Sequence, residues 1–215
     1  MKIYRNILKE EVSEDEEYNY NNLDSKRNLS FDAYRLKKIA FLVASKEKIL
    51  DVGSADAPNI FLKNKEVIGL DIKPITGAPN YTKILRGDAN KLDSVFSNGS
   101  FDAVVAGEIF EHLENPNLFL KGVYKILKTG GILVLSTPNP NSIWERLLTL
   151  NLSRKYFYTP DHFNLYPQRW LIRILERNNF KNARVFSGRL TIPFINTNIP
   201  FPRPWAEFTI ISVEK

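Results

Sequence analysis

The chain has no cysteine, one methionine and two histidines among 215 residues. Without thiols it forms neither disulfides nor thiolate metal sites, so any metal must rest on carboxylates and imidazoles. Long apolar runs are also missing. No stretch approaches the roughly 20 apolar residues of a membrane span, and the opening MKIYRNILKEEVSEDEEY lacks the apolar core of a signal peptide. These absences predict a soluble, cytoplasmic protein with no transmembrane segment. What is present is 43% hydrophobic residues, enough for one domain with a sizeable core and too little length for a second.

Charge is unevenly spread. The first 17 residues hold three basic and six acidic side chains, so the net +6 of the whole chain becomes +9 over the remainder. That excess favours anionic partners such as phosphorylated substrates, nucleic acid or lipid headgroups, and bears on steering more than on identity. The acidic, Asn-rich stretch 10–22 has few large aliphatic residues, and residues 1–29 read as an N-terminal arm ahead of a single domain over 30–215.

Periodicity orders the elements. FDAYRLKKIAFLVAS places Phe31, Tyr34, Leu36, Ile39, Leu42 and Val43 at helical spacing, with Ser30 positioned as its cap. The runs KILDVG, VIGLDI, FDAVVAG and GILVLST are short, apolar and end in small or acidic residues, as buried parallel strands do. Asn115-Pro116 predicts a capped helix start, Gly130-Gly131 its stop, and Pro167 opens a second strong helix, QRWLIRILERNNF. With ARVFSG and AEFTIISVEK as later strands, the pattern predicts an α/β fold. Its sheet is doubly wound and mostly parallel, with helices on both faces and the last strand antiparallel.

Ligands of such sheets bind outside the carboxyl ends of the strands. Four ends carry candidates: the tight turn DVGSADAP with Asp51, Gly53, Ser54, Ala55 and Ala57; Asp71; Asp88; and Glu108. Small residues at Gly53 let backbone amides approach a ligand, and Asp71, twenty residues beyond Asp51, suits a ribose diol because an ionised carboxylate accepts from both hydroxyls.

The ordered set ILDVGSADAPN, VIGLDI, RGDAN, FDAVVAGEIFEHLENP and LKTGGILVLSTPNP, from Lys48 to Pro140, resembles the successive motifs of class I S-adenosylmethionine-dependent methyltransferases. The later DHFNLYPQRWLIRILERNNF is similar to the branch containing ubiquinone-pathway O-methyltransferases and many glycan-cluster enzymes. The resemblance implies a Rossmann-like fold and S-adenosylmethionine as cofactor. It implies that Gly53 and its neighbours Asp51 and Ala55 line the methionine part, Asp71 with Ile72 holds the ribose side, Asp88 with Ala89 meets the adenine edge, and Gly107 faces the amino group. Ala55 and Ala57 stand where relatives usually have glycine, so a methyl at Ala55 is expected to crowd the cofactor. An NAD-dependent enzyme is disfavoured, since no G-x-G-x-x-G follows the first strand.

GEIFEHL, Gly107 to Leu113, sets Glu108, Glu111 and His112 at i, i+3 and i+4, on one face if the turn is helical. In methyltransferases acting on RNA 3′ ends, and in some quinone-pathway relatives, a similar ExxEH with a later histidine binds a divalent metal; His162 is the matching residue here. Glu108, Glu111, His112 and His162 are therefore the candidate ligands for Mn²⁺, Fe²⁺ or Zn²⁺, or a weakly held Mg²⁺. The metal-free alternative makes His112 or His162 the base, with Glu111 beside them as the third candidate catalytic group, and a purely structural helix cap stays open. The expected chemistry is in-line methyl transfer to an oxygen of a small-molecule or glycan acceptor. An RNA 2′-O-methyltransferase and a cofactor-binding module without catalysis are the alternatives. Residues 141–166 and 188–205, the latter rich in proline and aromatic residues, are expected to cover the substrate, with a lid, a homodimer patch or a membrane-surface contact as readings of the second.

Overall fold

The computed structural model describes residues 28–55, 58–73, 80–150, 164–186, 189–192 and 197–215. The N-terminal arm, Ala57 and His162 thus lie outside the described residues, apart from the first residues of α1 (Asn28–Leu42). Ser30, expected as the cap of this helix, sits inside its first turn because the helix starts two residues earlier.

Strands β1 (Lys48–Val52), β2 (Glu66–Asp71), β3 (Lys83–Arg86), β4 (Phe101–Gly107) and β5 (Leu127–Pro138) run parallel to one another. The later strands are β6 (Lys181–Phe186), the hairpin β7 (Arg189–Ile192) and β8 (Thr197–Pro200), and β9 (Phe208–Glu214). The main sheet has seven strands in the order β3-β2-β1-β4-β5-β9-β6, and β9 pairs antiparallel with both β5 and β6. The order reverses at β1, which puts a switch-point crevice at the carboxyl ends of β1 and β4.

Strand residues alternate between two cores. Leu50, Val104 and Leu133 pack on one face with Phe119 and Leu120 of α3 (Pro116–Ile126) and Leu171 of α5 (Gln168–Arg177). Ile49, Val105 and Val134 pack on the other with Ile39 of α1 and Val43 just after it. The remaining helices are the short α2 (Leu92–Val95) and α4 (Ile143–Leu150). Both faces are apolar because both are covered, which is why these strands read as continuous hydrophobic runs.

Asn115 caps α3 as expected, its side chain accepting from the Leu118 N–H at 3.0 Å with Pro116 next in line. The helix ends at Ile126, four residues before Gly130; the chain turns extended at Leu127, and Gly130, at φ +73°, bends the start of β5 instead. The proline-rich segment 188–205, expected to cover the substrate, contains the β7–β8 hairpin, with Leu190 opposite Ile199. Pro200 falls at the open end of that pairing, where its missing N–H costs little. The hairpin rests near α1, where the Arg189 guanidinium lies 4.5 Å from the Tyr34 ring centre.

Candidate active site

At the end of β1 the chain turns at Gly53, whose φ of +77° is a left-handed conformation and whose N–H donates to the Leu70 carbonyl at 2.9 Å. A methyl group there would stand 3.0 Å from Ile109, so glycine is required on both counts. The next turn is tied to β2: Asp71 Oδ2 accepts from the Ala55 N–H at 2.8 Å, and Oδ1 accepts from the Lys73 N–H at 2.9 Å. Asp88 caps the short 3₁₀ turn Ala89–Lys91, accepting from the Asn90 N–H at 2.8 Å.

These ends enclose a cavity of about 520 Å³ lined by Gly53, Asp71, Ile72, Asp88, Glu108 and His112, with Ala89 at its edge. Among the described residues its carboxylates, Asp71, Asp88, Glu108 and Glu114, outnumber the single Lys73. Three residues expected in the wall are absent from the lining. Asp51 is buried beneath it and receives the Tyr81 hydroxyl on Oδ2, while Tyr81 accepts from the Asn59 N–H at 2.9 Å. Burial pushes Asp51 up to about 6, against the lowering influence of Tyr81. Ala55 is buried with its N–H turned to Asp71, so its methyl does not fill the cavity. Gly107 faces the protein: a methyl there would meet Arg35 Nη1 at 2.9 Å.

The strand β4 does not run into a regular helix. Glu108 has a left-handed φ of +51°, its N–H donates to the Ser136 carbonyl at 3.0 Å, and the 3₁₀ turn Phe110–His112 starts two residues later. The premise of an i, i+3, i+4 face therefore fails. Glu108 stays at the cavity, 4.0 Å from the Arg35 guanidinium, whereas Glu111 is 1% exposed. Among the described residues no group of three or more His, Asp or Glu side chains could hold a metal ion, and His162 lies outside them.

His112 lines the cavity with its Nε2 4.0 Å from Glu111 Oε1. Burial, then the charge of Glu108, pushes Glu111 up to about 8, with the Thr137 hydroxyl and Arg35 offsetting part of it. Neither Glu111 oxygen reaches full hydrogen-bond geometry with a described donor. Burial and the charge of Glu108 both favour the protonated form of Glu111. Its backbone carbonyl accepts from the Asn164 N–H at 3.1 Å, and Asn164 Nδ2 reaches the Leu113 carbonyl at 2.7 Å, which fixes this turn against the chain entering α5.

Arg35 and Tyr81 are the two residues that strand-end reasoning missed. Arg35 is 4% exposed and donates to Ser136 Oγ at 3.2 Å. The available signal was its position on α1, one turn before the core residue Ile39: a cation on an apolar face requires a partner.

A model of the methyltransferase domain matches residues 26–185. The chain belongs to that methyltransferase family. Its fold is that of the class I S-adenosylmethionine-dependent enzymes. A solved S-adenosylmethionine-dependent methyltransferase from Thermotoga maritima superposes with a TM-score of 0.71 at 19% identity, over 91% of this chain and 95% of that one. Another from Archaeoglobus fulgidus gives 0.61 at 18% identity, over 87% and 99%. Among curated proteins, the mitochondrial ubiquinone biosynthesis O-methyltransferase of Schizosaccharomyces pombe is 30% identical over 124 residues, 51% of this chain and 44% of that protein. The rat protein of the same name is 44% identical over 43 residues, 20% of this chain and 12% of its own. The matched stretches thus span less than half the length of these relatives. No helix among the described residues is long and apolar enough to cross a membrane.

Proposed function

We propose that the chain transfers the methyl group of S-adenosylmethionine to a hydroxyl of a small-molecule or glycan acceptor. The observation that carries this is the acidic cavity at the switch point of a methyltransferase-family sheet. Its volume falls within the roughly 300–1,000 Å³ of small-molecule sites, and its excess of carboxylates suits a cofactor that carries a sulfonium and an ammonium. Asp71 fits a ribose diol: an ionised carboxylate offers about four lone-pair positions, and the Ala55 and Lys73 amides use two. Ile72, 66% exposed at the rim, offers an apolar face to a base. Asp88 and Ala89 stand beside it for the adenine edge. Of the two alanines that make a module without catalysis an alternative, Ala55 is buried outside the described lining, and Ala57 lies outside the described residues.

The cofactor when bound supplies an activated methyl on sulfur. What remains for the protein is to align the acceptor and remove its proton. His112, half-buried in the cavity wall, is the group positioned to take that proton, and the protonated Glu111 beside it adds no competing negative charge. Oxygen as the acceptor atom is supported by the name of the fission-yeast relative. The test is a product-detecting methylation screen over hydroxylated small molecules, glycans and short RNAs. Methyl ether formation on a small hydroxylated acceptor is the expected result; transfer confined to RNA, or none despite cofactor binding, overturns the reading.

A further inference from the structure

A second and larger cavity, about 940 Å³, opens at the same edge of the sheet as the first. It starts where β5 ends: Asn139 follows Pro138, and β5 is the neighbour of β4, with Ser136 opposite Gly107. Its wall combines Asn139, Arg146 of α4, Arg169, Trp170 and Arg173 of α5, and Trp205. Asn139 is 1% exposed and donates through Nδ2 to the carbonyls of Pro204 and Ala206 at 3.1 and 2.8 Å, so the turn that presents Trp205 is fastened to the sheet. Parts of both segments expected to cover the substrate therefore form this wall.

The chemistry is the reverse of the first cavity. Three arginines, two of them one helical turn apart on α5, line a concavity with no carboxylate among the described residues of its lining. Among the described residues none of the three is in an ion pair; Arg173 lies 5.8 Å from the Trp170 ring. Like charges gathered in a concave, partly apolar wall focus positive potential on whatever enters. Guanidinium forks match phosphoryl oxygens bidentately. Trp170 and Trp205, 60% and 47% exposed, leave indole surface open beside them, suited to a flat ring or a sugar face. Three arginines beside two indoles at one concavity suit a small phosphorylated molecule over a nucleic-acid backbone, which calls for an extended basic stripe.

We propose that this cavity binds the phosphoryl group of the methyl acceptor, making the acceptor a phosphorylated, ring-containing small molecule. That the ligand is the acceptor rests on the methyl-transfer reading; that the cavity takes a phosphoryl group does not. The test titrates the full chain with inorganic phosphate and with pyrophosphate, following tryptophan fluorescence and calorimetry. Two of the three tryptophans line the cavity, and Trp144→Phe isolates their signal. Saturable quenching by pyrophosphate is expected, weakened at least about tenfold in Arg169→Gln/Arg173→Gln and less in Arg169→Lys/Arg173→Lys. All three arginines are exposed, so the variants should keep the parent's melting curve, and S-adenosylmethionine affinity should not change. With phosphorylated acceptors the double Gln variant should raise KM while retaining kcat. Absence of saturable binding, or equal binding by the double Gln variant, overturns the proposal. So does a result in which the arginines matter only for binding vesicles of phosphatidylserine. Pyrophosphate binding without S-adenosylmethionine binding would instead remove the methyl-transfer reading and leave the phosphoryl site standing.

Discussion

Replacing Glu111 by Gln should make the protein more stable in alkaline solution while costing about 1–2 kcal/mol in acid, where the carboxyl is protonated in the folded and unfolded chain alike. The carboxyl is 1% exposed and held up to about 8 from a usual 4.5, by burial first and by the charge of Glu108 second. A raised acid is protonated in the folded state over a window where the unfolded chain has already ionised. Across that window the native state binds more protons, so stability falls as pH rises from 4.5 towards 8. At about 1.4 kcal/mol per pH unit the full shift sets a ceiling of about 5 kcal/mol. Burying an amide whose N–H₂ lacks partners returns about 1–2 kcal/mol of this. The net expectation is a gain of about 3 kcal/mol for the variant at pH 9, or roughly 6–10 °C in melting temperature for a chain of this size. Asp51, raised to about 6, adds a similar but smaller loss at lower pH and is common to both proteins. The assay is thermal unfolding from pH 5 to 9, with chelator present, comparing slopes instead of single values. Parallel pH profiles for the two proteins would refute the assignment of a buried, protonated Glu111.

Other outcomes follow from the same geometry. Asp71→Ala should weaken S-adenosylmethionine binding by about 1–3 kcal/mol, the loss of charged hydrogen bonds, and calorimetry showing unchanged affinity would take Asp71 out of the site. Gly107→Ala should cost about 1–3 kcal/mol in denaturant unfolding, because its methyl would meet Arg35 Nη1 at 2.9 Å; a neutral effect would mean Arg35 moves freely. Chelation should leave turnover intact if His112 takes the acceptor proton unaided; activity abolished by chelator and restored by Mn²⁺ would reinstate the metal reading through His162. Tyr81→Phe should lower stability by about 1–3 kcal/mol, since it removes the donor to buried Asp51 and the acceptor of the Asn59 N–H, as urea titration would report.

The alternation of strands and helices was legible because β1, β2, β4 and β5 are largely buried and so appear as apolar runs, whereas the edge strand β3, KILR, is partly exposed and gave no such run. Asp71, Asp88 and Gly53 were legible because strand ends in such sheets point at the crevice. The position of β9 between β5 and β6 was not, since nothing local in AEFTIISVEK distinguishes an inner strand from an edge strand. The β7–β8 hairpin was hidden by its prolines, which suppress strand propensity although one of them falls at an open end. Tyr81 and Arg35 were invisible to motif reading because each acts across the fold, 30 residues from Asp51 and 101 from Ser136.

Glu108 is the residue where local expectation failed most usefully. A non-glycine residue at φ +51° is uncommon, and such backbones cost about 1–3 kcal/mol unless their surroundings hold them. Here the Ser136 carbonyl takes the Glu108 N–H, and Arg35 stands beside the carboxylate. The consequence is a separation that a helical turn could not produce. One carboxylate remains in the cavity beside a cation, the other is buried near Tyr166, and the first helps push the second towards its protonated form. Two neighbouring acids pushed into opposite protonation states are a recurrent way of dividing labour in an active site. On the proposed reading in which His112 takes the acceptor proton, the Glu111 carboxyl 4.0 Å away is favoured in its neutral form by burial and by Glu108, so it would not hold His112 in a permanent ion pair.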